Sequence, residues 1–127
     1  MIQKRIKLHL SEIIEYFIER GVSDDDVFDI GQTMNLYSAN TDDPLKPDTI
    51  CYIDDETYFD EEADDDVEHY PDFAVKNQLE LLYYGQLFLD ILSSVFMQLK
   101  NPTIQNCVDA LNYYDEHDDY LDFEDEN

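Results

Sequence analysis

Apolar positions recur near the start of the chain at helical spacing. Leu10, Ile13, Ile14, Phe17 and Ile18 fall at i, i+3, i+4, i+7 and i+8, one stripe of an amphipathic helix. Ser11 reads as its N-cap and Gly21, just after Arg20, as its stop. Ser23 followed by Asp24, Asp25 and Asp26 reads as a second start, with acids where the helix dipole favours them. That second helix is short, carrying Val27, Phe28 and Ile30 before Gly31.

The pattern then changes period. Met34-Asn-Leu-Tyr37 and Thr49-Ile-Cys-Tyr-Ile53 are β-rich runs, separated by turn chemistry at Asn40, Asp42, Asp43, Pro44 and Pro47. They predict a hairpin-like pair. Residues 54–72 carry no helical stripe, 11 of the 19 are acidic, and Pro71 closes the segment. Residues 71–78 predict a short helix with Pro71 in its first turn. Leu79-Glu-Leu-Leu-Tyr-Tyr84 reads as a strand ending at Gly85; one continuous helix over 72–100 is the competing reading. Residues 86–100 form the strongest helix, with Leu87, Phe88, Ile91, Leu92, Val95, Phe96 and Leu99 covering more than half its circumference. Asn101-Pro102 reads as the cap and first turn of a last helix whose stripe is Ile104, Cys107, Val108, Leu111 and Tyr114. Residues 115–127 follow, 8 of 13 acidic. The expected fold is α+β: a single small domain over 1–127, with four to five helices and a two- to three-stranded antiparallel sheet. An acidic loop spans 54–70 and an acidic C-terminal segment 115–127.

Composition adds a charge problem. Of 127 residues 43% are apolar, with 10 Tyr and 7 Phe, so a core forms and wholesale disorder is excluded. Yet 32 acids face 7 bases, a formal net of −25. Solubility of a small domain is served by a net magnitude of roughly 2–8, and the excess destabilises by self-repulsion. The sign argues against direct binding to naked nucleic acid or to an anionic membrane and favours a basic protein partner. Adaptation to high salt is the bland alternative; it would spread acids evenly, whereas here they gather in segments. Cys51 and Cys107, both in apolar surroundings, read as free buried thiols. The basic start lacks an apolar signal region, and no run approaches 18 uncharged apolar residues, so a cytoplasmic protein is expected.

Catalytic chemistry finds no foothold. Gly21, Gly31 and Gly85 are isolated, leaving no phosphate loop, and no Gly-x-Ser-x-Gly elbow occurs. His9, His69 and His117 have no metal-type spacing, and His117 reads as a solvated histidine among Asp115, Glu116, Asp118 and Asp119. Asp64-x-Asp66-x-Glu68 has the spacing of a calcium loop's start, but His69 replaces the required glycine and Val75 the closing glutamate. No cofactor, no metal and no enzymatic activity are expected.

The acidic segments differ from ordinary solvated faces in being interleaved with aromatics. Aromatics supply contact area while carboxylates steer a Lys/Arg-rich surface. The expected partner-binding set is Asp54, Asp55, Glu56, Tyr58, Phe59, Asp60, Glu61, Glu62, Asp64, Asp65, Asp66 and Glu68, then Tyr113, Tyr114, Asp118, Asp119 and Tyr120.

Asp48-Thr-Ile-Cys-Tyr-Ile-Asp54, Pro71-Asp-Phe-Ala74, the helix to Lys100, and Asn101-Pro-Thr followed by Ala110-Leu-Asn-Tyr-Tyr-Asp-Glu-His-Asp-Asp-Tyr-Leu-Asp122 carry a resemblance. Over residues 48–123 the chain resembles small bacterial proteins of toxin–immunity loci. The resemblance implies an immunity protein for a polymorphic or contact-dependent inhibition toxin, with no catalytic residues to transfer. The expectation is an inhibitor that occludes a basic toxin domain such as a nuclease. The alternatives are a nucleic-acid mimic of phage or plasmid origin, which would need acids spaced like phosphates, and an acidic chaperone or adaptor.

Overall fold

The computed structural model describes residues 2–59 and 68–123. The elements follow as β1 (Leu8–His9), α1 (Leu10–Arg20), α2 (Asp25–Thr33), β2 (Met34–Ser38), β3 (Ile50–Asp55) and β4 (Tyr58–Phe59), then β5 (Glu68–His69), α3 (Asp72–Lys76), β6 (Glu80–Tyr84), α4 (Gly85–Gln98) and α5 (Ile104–His117). Among the described residues five helices thus accompany an antiparallel four-stranded sheet of order β1-β3-β2-β6 and a separate β4-β5 ribbon. The α+β domain matches the expectation. The sheet is larger by the two-residue β1, too short a run to show in a hydropathy pattern.

The sheet is covered on both faces. Leu36, Cys51, Ile53 and Tyr83 belong to the main core with Phe17 of α1, Val27 of α2, Phe88 and Leu92 of α4, and Leu111 of α5. Phe17 and Phe88 meet edge to face at 5.2 Å. On the opposite face Tyr37 anchors a smaller core with Ala74 and Leu79, against which Tyr52, Tyr70, Phe73 and Leu81 pack. A bulge lets one strand serve both sides. Opposite Leu36 and Tyr37 of β2 stand Tyr83 and Leu81, so Leu82 is the extra residue. Leu82 and Tyr83 can therefore both pack on the main core.

Element boundaries moved where side chains cap the helices. His9, not Ser11, is the N-cap of α1, and its N–H donates to Glu12 Oε1 at 3.1 Å. Asp24, not Ser23, caps α2, accepting from the N–H groups of Asp26 at 3.0 Å and Val27 at 3.3 Å. Thr103 caps α5 and Asn106 reciprocates, so Asn101-Pro102 precedes the helix instead of opening it. The helix α2 continues through Gly31 because glycine lets α4 lie against it: a Cβ there would stand 2.7 Å from Leu89 Cδ2. No helix among the described residues is long and apolar enough to cross a membrane.

Cys51 and Cys107 are both fully buried and unpaired, and burial pushes each thiol up to about 12 from an ordinary 9.0. The buried Tyr37 phenol is likewise raised to about 12, chiefly by desolvation. The unfolded chain would release these protons first, so their contribution to stability is complete below about pH 9 and falls as the pH approaches 12. The melting temperature is therefore expected to decline above about pH 9, and a thiol reagent at neutral pH should label neither cysteine before unfolding.

Candidate functional site

Of the expected partner-binding residues, Asp54 is corrected by the structure. It is fully buried in β3, on the side of the sheet where Tyr37, Tyr52 and α3's Ala74 and Phe73 pack, and so has no exposed surface to offer. Its Oδ1 accepts from Arg5 Nε at 3.0 Å and from the Asp55 N–H at 2.8 Å. Asp55, half-exposed, is already engaged by Lys4 Nζ at 2.7 Å and Arg5 Nη2 at 3.0 Å. These two acids hold the chain's own basic arm.

Glu56 and Tyr58 are exposed and line a cleft with Arg5, Asp72, Phe73 and Lys76. The Tyr58 ring stacks on His69 at 5.4 Å across the β4-β5 ribbon. Phe59 belongs to β4. Asp60, Glu61, Glu62, Asp64, Asp65 and Asp66 lie outside the described residues.

The later cluster sits at the C-terminal end of α5. Asp118 ends the helix in the left-handed region at φ 56°, which asparagine and aspartate tolerate better than other non-glycine residues. The chain then turns back, burying Leu121, and Gln98 holds the turn by donating to the Leu121 carbonyl at 2.9 Å and accepting from the Phe123 N–H at 3.1 Å. Far from being a loose tail, residues 115–123 close over the end of α4. Tyr113 lies against His117 at 4.3 Å and Tyr114 against Tyr120 at 5.5 Å, while Asp118 and Asp119 are exposed.

Strand β6 brings the two clusters together. Tyr84 Oη donates to Glu68 Oε2 at 2.9 Å, and this hydrogen bond to a carboxylate holds the phenol above its ordinary pKa. Tyr84 also lines a groove of about 250 Å³ with Leu82, Leu87, Tyr114, Asp115 and Asp118. The residues around which the clusters meet, Tyr84, Leu87 and Asp115, were not among those expected. Tyr84 reads in the sequence as one more core aromatic of a strand, and only the strand order puts it at the sheet's edge, 46% exposed.

Three cations are held elsewhere. Arg20 pairs with Asp24 and Asp26, Lys4 and Arg5 with the end of β3, and no Lys or Arg lines the groove beside Tyr84. Among the described residues no three of His, Cys, Asp or Glu gather as a metal-holding group.

Residues 22–123 match a protein family described as a domain of unknown function. The chain belongs to the DUF7716 family. Neither the curated proteins nor the solved structures compared with it yield a match. Glu68, Tyr84 and the α5 cluster all lie within the DUF7716 match, whereas α1 and the arm carrying Lys4 and Arg5 precede it.

Proposed function

We propose that this DUF7716 protein is a non-enzymatic, cytoplasmic inhibitor that binds a basic protein, in the manner of an immunity protein occluding a cationic toxin domain. The carrying observation is at Tyr84, which hydrogen-bonds Glu68 of one acidic-aromatic segment and lines a groove with Tyr114, Asp115 and Asp118 of another. Rigid aromatic rings at such a site offer contact area, and the carboxylates around them draw a Lys/Arg-rich surface at a fast, salt-sensitive rate. The resemblance to toxin-immunity proteins, quoted above on its residues, points to the same class of partner.

The test begins with capture of partners from the native host, followed by titration of the recovered partner in low and moderate salt. A single basic protein held one to one is expected. The triple variant Glu68→Lys, Asp118→Lys, Asp119→Lys should weaken it by about 100-fold or more, each reversed contact costing about 1 kcal/mol or more. Reversal of Glu12, Glu15 and Glu19 on α1 should change it less than about threefold, the residue of long-range steering. Equal losses from both triple variants would reduce the interaction to bulk charge. Recovery of many DNA-binding proteins, all released by duplex DNA, would replace the reading with nucleic-acid mimicry.

A further inference from the structure

The sheet ends at β6, and no strand lies on its outer side among the described residues. Soluble proteins blunt such an edge with lysine, proline or a covering element, because a row of free N–H and C=O groups recruits another strand. The segment Glu80-Leu-Leu-Tyr-Tyr84 contains neither lysine nor proline. Among the described residues it carries the bulge at Leu82, which limits continuous pairing to a short run.

A trough follows this edge. The groove lined by Tyr84, Leu87, Tyr114 and Asp118 shares Leu81, Leu82, Tyr83 and Asp115 with a second one, of about 230 Å³, that adds Thr41, Asp43, Leu45 and Asn112. Leucines supply its apolar surface, and Asp43, Asp115 and Asp118 stand along it without a single lysine or arginine among the lining residues. A second copy of this chain would bring another −25 of charge to an already acidic trough, which disfavours self-pairing.

We infer that β6 is the docking edge for an extended, Lys/Arg-bearing segment of the basic partner, which adds as a fifth strand. Its main chain bonds the free edge of β6, and alternate side chains place cations beside Asp43, Asp115 and Asp118. The inference rests on the reading that the partner is a basic protein and adds how that partner is held.

The probe is an end-blocked peptide of four Lys-Val repeats, with a fully N-methylated analogue that keeps every charge but has lost its main-chain donors. Binding is followed by amide hydrogen exchange and chemical shifts on the intact chain in low salt. The unmodified peptide is expected to slow exchange in residues 80–84, and the analogue to bind about tenfold or more weakly. The pair Asp115→Lys, Asp118→Lys should weaken the unmodified peptide by a similar factor while leaving the far-UV spectrum unchanged. Equal affinity for both peptides, or protection that falls outside β6, overturns strand addition and leaves the charge-based reading standing. If neither peptide binds and no basic protein is captured from the host, that underlying reading fails with it.

Discussion

A chain shortened to residues 22–127 is expected to lose its cooperative fold, even though residues 22–123 are what the family shares. The helix α1 is lost in that variant, and Leu10, Ile13, Ile14 and Phe17 are all fully buried in the main core. The ordering cost of α1 disappears with it, but the surfaces it covered do not close over. Removing the Phe17 ring alone, which packs on Phe88, is worth about 3–5 kcal/mol as a large-to-small core change. Loss of Arg5 removes the guanidinium beside the buried Asp54, a further cost of up to about 3 kcal/mol given that Arg5 is half-exposed. Against a total stability of about 5–15 kcal/mol, the combined loss leaves little or nothing. Near-UV circular dichroism and a thermal melt decide the matter. The full chain should melt cooperatively, whereas the shortened one should keep helical far-UV signal, bind a hydrophobic dye and show no sharp transition. A cooperative melt within a few degrees of the full chain would show that α1 is an accessory.

Gly85→Ala is expected to be the most damaging single-methyl addition in the molecule. Gly85 opens α4 directly after β6, and its amide donates to the buried Asn35 Oδ1 at 3.0 Å. A Cβ there would collide with the Met34 carbonyl oxygen and stand 2.9 Å from that of Ile30. Both obstacles are main chain, so no side-chain rotation relieves them. Alanine's better helix propensity returns about 1 kcal/mol at most. The net cost is expected to be about 3 kcal/mol or more, lowering the melting temperature by on the order of 10 °C. Denaturant titration measures the first figure. Gly21→Ala is the control: its φ of 81° is strained for alanine, but no atom crowds the position, so the loss there should be near 1 kcal/mol.

These two sites also show what could be read from the chain and what could not. Helical stripes such as Leu10 to Ile18 report burial directly, and they located α1, α4 and α5 within a few residues. The strand reading of 79–84 held over the continuous-helix alternative because Gly85 packs against the end of α2, a contact a straight helix through that point would not make. Asp54 went wrong for a specific reason. It opens the acidic run of residues 54–72, and the β-rich pattern stops at Ile53, whereas the strand continues through Asp55 and carries Asp54 into the sheet. Tyr37 and Tyr52, paired across the strands, point to the same side as Asp54, where Ala74 and Phe73 of α3 pack against them. That Tyr84 links Glu68 with the α5 groove depends on β6 lying beside β2, a pairing between residues far apart in sequence that no local pattern encodes. Density of acids along the chain therefore marks the two segments but not which strand lies beside them.

One polar contact bears on how the trough beside β6 would work. The Asn112 side chain on α5 accepts from the Leu45 N–H at 2.7 Å and donates to the Leu45 carbonyl at 2.9 Å, imitating a strand neighbour. The long connection between β2 and β3 is thereby clasped to the helix, and Leu45 is buried. Ordering a free loop on association would consume conformational entropy, on the order of 1 kcal/mol for each backbone residue fixed. Here that ordering belongs to folding, so a partner docking there would meet a wall already in position, and Asn112→Ala, which frees the connection, should slow its capture.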